Sequence, residues 1–307
     1  MNICVVAYKF GNEKEIGEHL GTYHYFIEKM RTLVKEGHEV IVVAPYLSFI
    51  KKGSENIDGV KVIRYFPPMM NRIWLFPLNR IIRRIYILKT QRVVLKILKT
   101  QKIDLVYVWQ ARETGYAIAK IKDKIGVPFF FRQITAWHWH FERSVNEIFE
   151  KKLWYKKLQK MGLARLVDKV LAVLLDKESQ IRFAKTIYNT ADKVVFLSKA
   201  AIHESKELGL DPKKAVDLGV AIEEDFFLPM KDKDKDSIRK ELGIQGNRII
   251  LFIGRLSFAE KGVGYLIEAM KEVILKIPLA KLVIVGGGGE EDRARKLIGE
   301  LALGKNI

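Results

Sequence analysis

The sequence predicts an α/β protein made of two Rossmann-like domains, the second of them incomplete. Short runs of β-branched residues alternate with segments of helical period, which is typical of parallel sheets covered by helices. The alternation breaks after residue 218, where glycine, proline and alternating charge occupy residues 219–247, and it then resumes. We therefore expect a first domain over residues 1–218 and a second over residues 219–307. The second series stops after two strand–helix units, whereas a doubly wound nucleotide-binding domain uses about five or six strands, so we expect this domain to be cut short.

The first predicted strand covers residues 3–7, where apolar residues follow one another without interruption. A loop rich in glycine and charge follows at residues 9–21. The next segment is predicted to be a helix because its apolar residues recur at intervals of three and four. Those residues are Tyr23, Phe26, Ile27, Met30, Leu33 and Val34. Gly37 is expected to end this helix before a strand at residues 40–43.

Further strand–helix units complete the predicted first domain. A strand at residues 104–109 precedes a helix at 113–125, and a strand at 127–134 follows. The basic segment at residues 146–188 is predicted to be a helical insertion, whose role stays open between an acceptor groove, a membrane contact and neither. A strand at residues 193–197 leads to Ser198, a typical N-cap residue, and a helix at 200–208. The elements predicted for the second domain are strands at 248–253 and 281–285 and helices at 261–277 and 290–303.

The composition excludes several classes of protein. Hydrophobic residues make up 49% of the chain, which excludes disorder as its main state. No run of 18 uncharged apolar residues occurs, so no membrane-spanning helix is expected. Residues 1–7 lead straight into a strand, so we expect no signal peptide. The single cysteine, Cys4, excludes a disulfide framework and a cysteine metal cluster, and the chain is expected to be cytoplasmic.

The net charge of +18 favours anionic partners such as phosphates, anionic lipid or nucleic acid. Nucleic acid is the least favoured of these, because the chain carries no recognised binding motif with interleaved aromatic residues. A bias towards Lys, Glu and Ile is also typical of thermophilic proteins, so part of the lysine excess is explained by a solvated, ion-paired surface.

The ends of the two strands in the second domain carry the clearest chemistry. Gly254 and Arg255 follow the strand at 248–253, and Lys261 lies at the predicted start of the next helix. Two cations and the free amides of a helix N-terminus in one crevice suit a diphosphate. A run of glycines follows the second strand, giving backbone that a base or ribose can approach closely. The run consists of Gly286, Gly287, Gly288 and Gly289, of which the first three are the candidates for this contact. Each piece alone is equally explained by a surface pair, a turn or a flexible loop, but their combined spacing favours the functional interpretation.

Four segments, spread over nearly the whole chain, carry a family pattern. They read FIGRLSFAEKGVGYLIEAM at 252–270, KLVIVGGGGEE at 281–291, GTYHYFIEKMRTLVKEGHEVIVVAP at 21–45 and ADKVVFLSKAA at 191–201. These segments resemble the retaining family four of the GT-B glycosyltransferases. The resemblance implies a GT-B fold and transfer of a sugar from a nucleotide donor with retention of anomeric configuration.

The same resemblance implies roles for individual residues. Arg255 and Lys261 would hold the donor diphosphate. The glycine-containing loop after the first strand, with Gly17, Gly21 and Thr22, would approach the donor phosphates and the reacting sugar. No metal or further cofactor is implied, because the cations and helix dipoles neutralise the leaving diphosphate.

The chain departs from the family pattern at three places. The family's two glutamates, spaced eight positions apart, would lie beyond Ile307, so part of the site for the donor sugar and ribose is expected to be missing. The family's histidine after the strand ending near Phe131 is not matched, and Ile134 and Thr135 stand there. The usual Asn-Gly before the interdomain linker is replaced by Leu218 and Gly219.

The stretch AWHWHFE at 136–142 offers substitutes for the unmatched histidine. It follows a predicted parallel strand and therefore lies at the carboxyl edge, where α/β proteins bind ligands. His138, His140 and Glu142 are candidates to bond sugar hydroxyls or to move a proton. A packed aromatic loop with structural histidines explains the stretch nearly as well. A metal site is not favoured, because no further ligands occur at suitable spacing.

Residues 59–103 contain no acidic side chain and many basic ones. A helix predicted within residues 73–88 separates an apolar face from a basic face. The apolar face carries Leu78, Ile81, Ile82 and Ile85, the basic face carries Arg80, Arg83 and Arg84, and Trp74 and Phe76 precede them. This pattern is typical of an interfacial helix on anionic lipid, where each basic residue adds about 1 kcal/mol. The alternative is an ordinary helix that covers the sheet, and residues 91–101 favour that alternative because their apolar residues form a plain core stripe.

Two hypotheses for function follow. The first is a nucleotide-sugar-dependent glycosyltransferase whose first domain binds a lipid-linked or surface polysaccharide acceptor, at the inner face of the membrane. An epimerase on the same scaffold is its competitor within the enzyme class. The second is a catalytically incomplete protein that binds nucleotide or membrane without turnover, an idea motivated by the end of the sequence at Ile307.

Overall fold

The computed structural model describes residues 1–17, 20–68, 78–109, 112–134, 161–162, 177–219, 232–244 and 248–307. Contacts between residues divide the chain into two compact units, Met1–Ala221 and Ile222–Ile307. Each unit is built on a sheet whose strands are mainly parallel and are covered by helices. The α/β class predicted from the alternating pattern is therefore correct for both units.

In its described part, the first unit contains eight strands and seven α-helices. The strands are β1 (Asn2–Ala7), β2 (Glu39–Pro45), β3 (Asn56–Ile57), β4 (Val60–Tyr65), β5 (Leu105–Trp109), β6 (Phe129–Arg132), β7 (Lys193–Phe196) and β8 (Ala215–Asp217). The helices are α1 (Glu13–Ile16), α2 (Leu20–Lys35), α3 (Leu78–Thr100), α4 (Arg112–Ala119), α5 (Lys122–Ile125), α6 (Lys177–Thr190) and α7 (Lys199–Lys206). A short 3-10 helix, Pro212–Lys214, precedes β8.

The strands form one sheet in the order β3-β4-β2-β1-β5-β6-β7-β8. All pairs are parallel except β3 with β4. Strand β1 lies between β2 and β5, so the chain winds outward from it in both directions. The carboxyl ends of β1 and β5 flank this switch point, which is where open α/β sheets bind ligands.

Two hydrophobic clusters cover the two faces of this sheet. Cys4 and Val6 of β1 point into one cluster with α3, α4 and α6, whereas Val5 points into the other. Phe26 and Met30 from the apolar face of α2 pack into that second cluster. Side chains of alternate residues in β1 thus point to opposite faces of the sheet. Because both faces are buried, the strand has an uninterrupted apolar sequence.

The second unit has a smaller sheet in its described part. Its elements are α8 (Asp232–Glu241), β9 (Arg248–Ile253), α9 (Phe258–Lys261), α10 (Val263–Lys276), β10 (Ala280–Val285) and α11 (Glu291–Glu300). Strands β9 and β10 are parallel and pair from Arg248–Ala280 to Ile253–Val285. The core lies between these strands and helices α10 and α11, and it includes Val263, Ile267, Met270, Leu282 and Ala294.

Several elements differ from their predicted extents. The helix predicted at 113–125 is two helices, α4 and α5, and the one predicted at 261–277 is divided into α9 and α10 by Gly262 at φ 66°. Residues 73–88 and 91–101 were predicted to differ in role, but α3 runs through both without a break from Leu78. Strands β3, β4 and β8 were not predicted. Their sequences are short or lie within the basic segment, so their hydrophobic patterns are weak.

Candidate functional site

The loops that follow β9 and β10 lie side by side in the second unit. Gly254 follows β9 and donates its N–H to the carbonyl of Val285 at 3.0 Å. Leu256 donates its N–H to the carbonyl of Gly287 at 2.9 Å. The parallel hydrogen-bond ladder therefore continues beyond the strands, and it brings Gly254 and Arg255 against the glycine run that begins at Gly286.

Close approach of these two loops requires glycine at Gly286. A Cβ atom placed there would lie 1.9 Å from the carbonyl oxygen of Gly254, and its φ of 152° already disfavours a side chain. Gly288 is also crowded, since its Cβ would lie 3.1 Å from the carbonyl oxygen of Leu256. A Cβ at Gly287 would meet nothing within 4 Å, so the space beside this residue is open.

Arg255 and Lys261 both lie at the solvent surface. The Arg255 side chain is 63% exposed and forms an ion pair with Glu260. Lys261 ends α9 and is also exposed. Helix α10 begins two residues later, and its N-cap residue, Gly262, has no side chain to cap the first amides. Lys261 therefore stands beside the positive end of a helix of 14 residues, and Arg255 lies on the loop that leads to it.

Two glutamates that the sequence reasoning left without a role hold this arrangement together. Glu290 accepts the N–H of Phe258 at 2.9 Å, which adds one more link between the two loops. Its other oxygen pairs with Arg293 at 2.8 Å, and that guanidinium lies 3.9 Å from the ring centre of Phe258. Glu260 forms an ion pair with Arg255. The sequence shows these carboxylates near the glycine loops, but not which partner each one takes.

The glycine-containing loop of the first unit lies at the carboxyl edge of β1. Asn12 caps α1 by accepting the N–H of Glu15, and Gly17 ends that helix at φ 57°. Gly21 and Thr22 lie in the first turn of α2 rather than in a loop. The three predicted residues thus surround the start of α2, and Gly17 is exposed.

Hydrogen bonds fix the chain just before Gly17. The carboxylate of Glu15 accepts the N–H and the hydroxyl of Ser54 at 2.7 and 2.6 Å. Burial raises the pKa of Glu15, but the hydrogen bonds to its carboxylate and the nearby charge of Arg64 outweigh it and leave the pKa below its ordinary value. Arg64 donates to the carbonyl oxygen of Phe10 at 2.7 Å and to that of Ser54. The loop is therefore anchored to β4 and to the segment that precedes β3.

A second group of charged residues lies at the same edge, on the other face of the sheet. Glu113 is buried at the start of α4 and accepts the side-chain N–H of Gln180 at 3.2 Å. Arg83 approaches the same oxygen at 4.0 Å and lies 5.9 Å from the ring centre of Phe183. Burial raises the pKa of Tyr8, and the carboxylate of Glu113 raises it further.

This geometry corrects the prediction for Arg83. Its side chain is only 11% exposed and points into the unit, because Glu113 and Phe183 attract the guanidinium. Most of the apolar face of the first half of α3 points outward: Leu78, Ile81, Ile85 and Leu88 are 50%, 54%, 41% and 52% exposed. Arg80 is partly buried and Arg84 is exposed. This half-helix therefore exposes most of its apolar face together with Arg84, whereas Arg83 turns inward.

The remaining candidates fall outside the described residues. These are His138, His140 and Glu142 of the predicted catalytic stretch and Trp74 and Phe76 before α3. No group of three or more metal-ligating side chains is found within the described ranges.

Comparisons with protein-family models match both units. The model described as Glycosyltransferase Family 4 matches residues 21–174, which is half of the chain, and the model described as Glycosyl transferases group 1 matches residues 234–307. An uncharacterized glycosyltransferase of Methanocaldococcus jannaschii is 38% identical over 80 residues, which are 26% of this chain and 20% of that protein. The alpha-D-kanosaminyltransferase of Streptomyces kanamyceticus is 33% identical over 117 residues, 37% of this chain and 29% of that protein.

Solved structures match over essentially the whole chain at low identity. HepE of Anabaena in complex with UDP has a TM-score of 0.62 and 15% identity, over 100% of this chain and 68% of that one. The sucrose-phosphate synthase of Thermosynechococcus elongatus has a TM-score of 0.61 and 15% identity, over 100% of this chain and 69% of that one. These matches confirm the GT-B fold that the resemblance implied. The chain belongs to glycosyltransferase family 4, as its sequence motifs predicted.

Proposed function

We propose that the chain binds a nucleotide sugar and transfers the sugar to an acceptor with retention of anomeric configuration. The observation that carries this proposal is the edge of the β9–β10 sheet, where two glycine loops meet beside the exposed side chains of Arg255 and Lys261. Family membership supports the reaction class. HepE has been crystallised with UDP and with UDP-glucose, which makes UDP-sugars the first donors to test.

In this proposal the donor diphosphate lies against Gly254, Arg255 and Lys261. The two cations and the amides at the start of α10 stabilise the charge that develops on the diphosphate as the bond to the sugar breaks. The open backbone beside Gly287 accommodates the base or the ribose. The start of α2, with Gly17, is assigned to the reacting sugar, and His138, His140 and Glu142 to hydroxyl binding or proton movement.

Calorimetric titration with UDP-, GDP- and ADP-sugars tests the donor site. We expect one nucleotide class to bind, and we expect Arg255→Ala/Lys261→Ala to abolish that binding because both counter-charges of the diphosphate are lost. Lys271→Ala/Lys276→Ala is the matched control, since it removes two exposed cations from α10 without touching the loops. Equal affinity in both double variants would contradict the assignment of the diphosphate site.

We further propose that the acceptor is a lipid-linked or surface polysaccharide, reached by contact with an anionic membrane at its inner, cytoplasmic face. The outward stripe of Leu78, Ile81, Ile85 and Leu88 supports this proposal, because exposed apolar side chains in a row are typical of an interaction surface. Exposed basic side chains border the stripe: Arg84, Lys89 and Arg92. An apolar stripe with basic borders is the pattern of a helix lying in a lipid interface. Within the described ranges, no helix is long and apolar enough to cross a bilayer.

Sedimentation with vesicles tests the membrane contact. We expect the chain to bind vesicles containing phosphatidylglycerol and not those of phosphatidylcholine alone. Ile81→Ser/Ile85→Ser is expected to reduce binding at least tenfold, since two apolar anchors are removed from the lipid. Arg83→Gln should leave binding unchanged, because this side chain points inward. Binding that is equally strong in the serine variant would contradict the proposed surface.

A further inference from the structure

The ion pair between Arg255 and Glu260 stands out in the candidate donor site. Arg255 is the cation assigned to the diphosphate, yet its guanidinium already contacts a carboxylate of the same unit. Glu260 is the better buried partner, at 24% side-chain exposure against 63% for Arg255. The carboxylate therefore lies in a better packed part of the unit than the guanidinium that it contacts.

The backbone around Glu260 is held in place on both sides. Ser257 caps α9, and its hydroxyl accepts the N–H of Glu260 at 3.1 Å. The neighbouring Phe258 donates its N–H to Glu290, and Leu256 donates to Gly287. The turn from Arg255 to Glu260 is thereby tied to the glycine loop after β10. A carboxylate on such a turn can fix where a guanidinium lies.

The ion pair contributes little to stability, because exposed pairs are screened by water. It does restrict a side chain with many rotamers, and ordering such a side chain on binding weakens affinity by a factor of about two to ten. A guanidinium has five N–H donors, of which one carboxylate uses at most two in a bidentate pair. The remaining donors stay available to a second anion.

We propose that Glu260 is a positioning residue for the nucleotide donor. It holds the Arg255 guanidinium at the edge of the β9–β10 sheet before the donor arrives, so that the free N–H donors face the diphosphate. The inference rests on the proposed function and adds a residue to its site. The opposite role, in which Glu260 competes with the diphosphate for Arg255, predicts the opposite change in affinity.

Calorimetric titration of the full chain with UDP, GDP and ADP tests this role. We expect Glu260→Ala to weaken binding of the preferred nucleoside diphosphate about three- to tenfold. Glu260→Gln should stay within about twofold of wild type, because its amide oxygen still accepts from the guanidinium. Glu300→Ala is the matched control: it removes one carboxylate that pairs with Lys296 in the same unit, and it should have no effect.

Two further measurements separate positioning from a merely structural role. In the Arg255→Ala background, Glu260→Ala should cause no additional loss, since the side chain that it positions is gone. Affinity for the matching nucleoside, which lacks phosphates, should not change, and neither should the midpoint of thermal unfolding.

The outcomes distinguish this inference from the proposed function. Tighter or unchanged diphosphate binding in Glu260→Ala, or an equal loss in the Arg255→Ala background, would overturn the positioning role and leave the donor site intact. Failure of the wild-type chain to bind any of the three diphosphates would overturn the proposed donor site, and the positioning role with it.

Discussion

Gly286 shows how a single residue shapes the candidate donor site. Its backbone lies against the carbonyl of Gly254, so that even one methyl group would overlap that oxygen. We predict that Gly286→Ala separates the two loops, lowers the free energy of unfolding by about 1–3 kcal/mol and weakens nucleotide binding at least tenfold. Chemical denaturation and calorimetry would measure both effects.

Gly289→Ala is the control for this prediction. A Cβ atom at Gly289 would meet nothing within 4 Å, although the residue belongs to the same glycine run. The free energy of unfolding of Gly289→Ala should therefore match that of the wild type. If both alanine variants behaved alike, close approach of the loops would not be the reason for glycine at position 286.

Sequence reasoning identified Arg255, Lys261 and the glycine run as candidates, because each is visible as a residue type at a strand end. It could not assign Glu260 or Glu290 to their partners, since those contacts depend on how the loops fold back on each other. It predicted Arg83 as a surface cation and missed its inward position for a related reason. Helical period shows which residues share a face, but not that the buried carboxylate at position 113 draws this one guanidinium inward.

At the scale of elements, Asp192 links two neighbouring strands of the first unit. Its carboxylate accepts the N–H of Phe129 at the start of β6 at 2.6 Å and pairs with Lys122 at 2.5 Å. Burial raises the pKa of Asp192, but the hydrogen bonds from Lys122 and Phe129 outweigh it and lower the pKa overall. A carboxylate with a lowered pKa stabilises the fold above its unfolded pKa, and that stability is lost as the pH falls through the folded value.

We predict that Asp192→Asn lowers the free energy of unfolding by about 1 kcal/mol at pH 7, since a charge-assisted hydrogen bond is weakened. The difference from wild type should shrink as the pH falls below the ordinary aspartate range, because the wild-type carboxylate then becomes protonated as well. Denaturation curves at pH 7, 4 and 3 would test this. A difference that stayed constant over this range would show that the charge of Asp192 is not responsible.

Elements with a strong hydrophobic pattern were predicted nearly to the residue. Strand β9 was predicted at 248–253 and occupies Arg248–Ile253, and Ser198 caps α7 as its position suggested. Strand β8 has only three residues, and β4 lies within the basic segment at residues 59–103, which was interpreted by its charge and not as a strand. Pairing with neighbouring strands, rather than local sequence pattern, determines these two strands.

At the scale of the whole molecule, each unit has a core of its own. Ile118 is fully buried in the first unit and Ile267 in the second, and they belong to different clusters. Replacing either isoleucine by alanine removes three carbons from a core and lowers the free energy of unfolding by about 2–5 kcal/mol. We predict that Ile267→Ala accelerates amide hydrogen exchange in α10, β9 and β10, and that Ile118→Ala accelerates it in the sheet of the first unit.

Hydrogen exchange followed by mass spectrometry would measure this, and each variant serves as the control for the other. The family matches support the division, because one model matches residues 21–174 and the other residues 234–307. If Ile267→Ala accelerated exchange in β1 and β5 as strongly as in β9, the two cores would not be independent.

The edge of the β9–β10 sheet is proposed to bind the diphosphate of a nucleotide. Hydrogen exchange of the full chain, measured with and without a saturating nucleoside diphosphate, locates that binding on the molecule. We expect protection of residues 254–262 and 286–290, including the first turn of α10, and loss of that protection in Arg255→Ala/Lys261→Ala. Saturated binding with protection elsewhere, and none at these two loops, would contradict it.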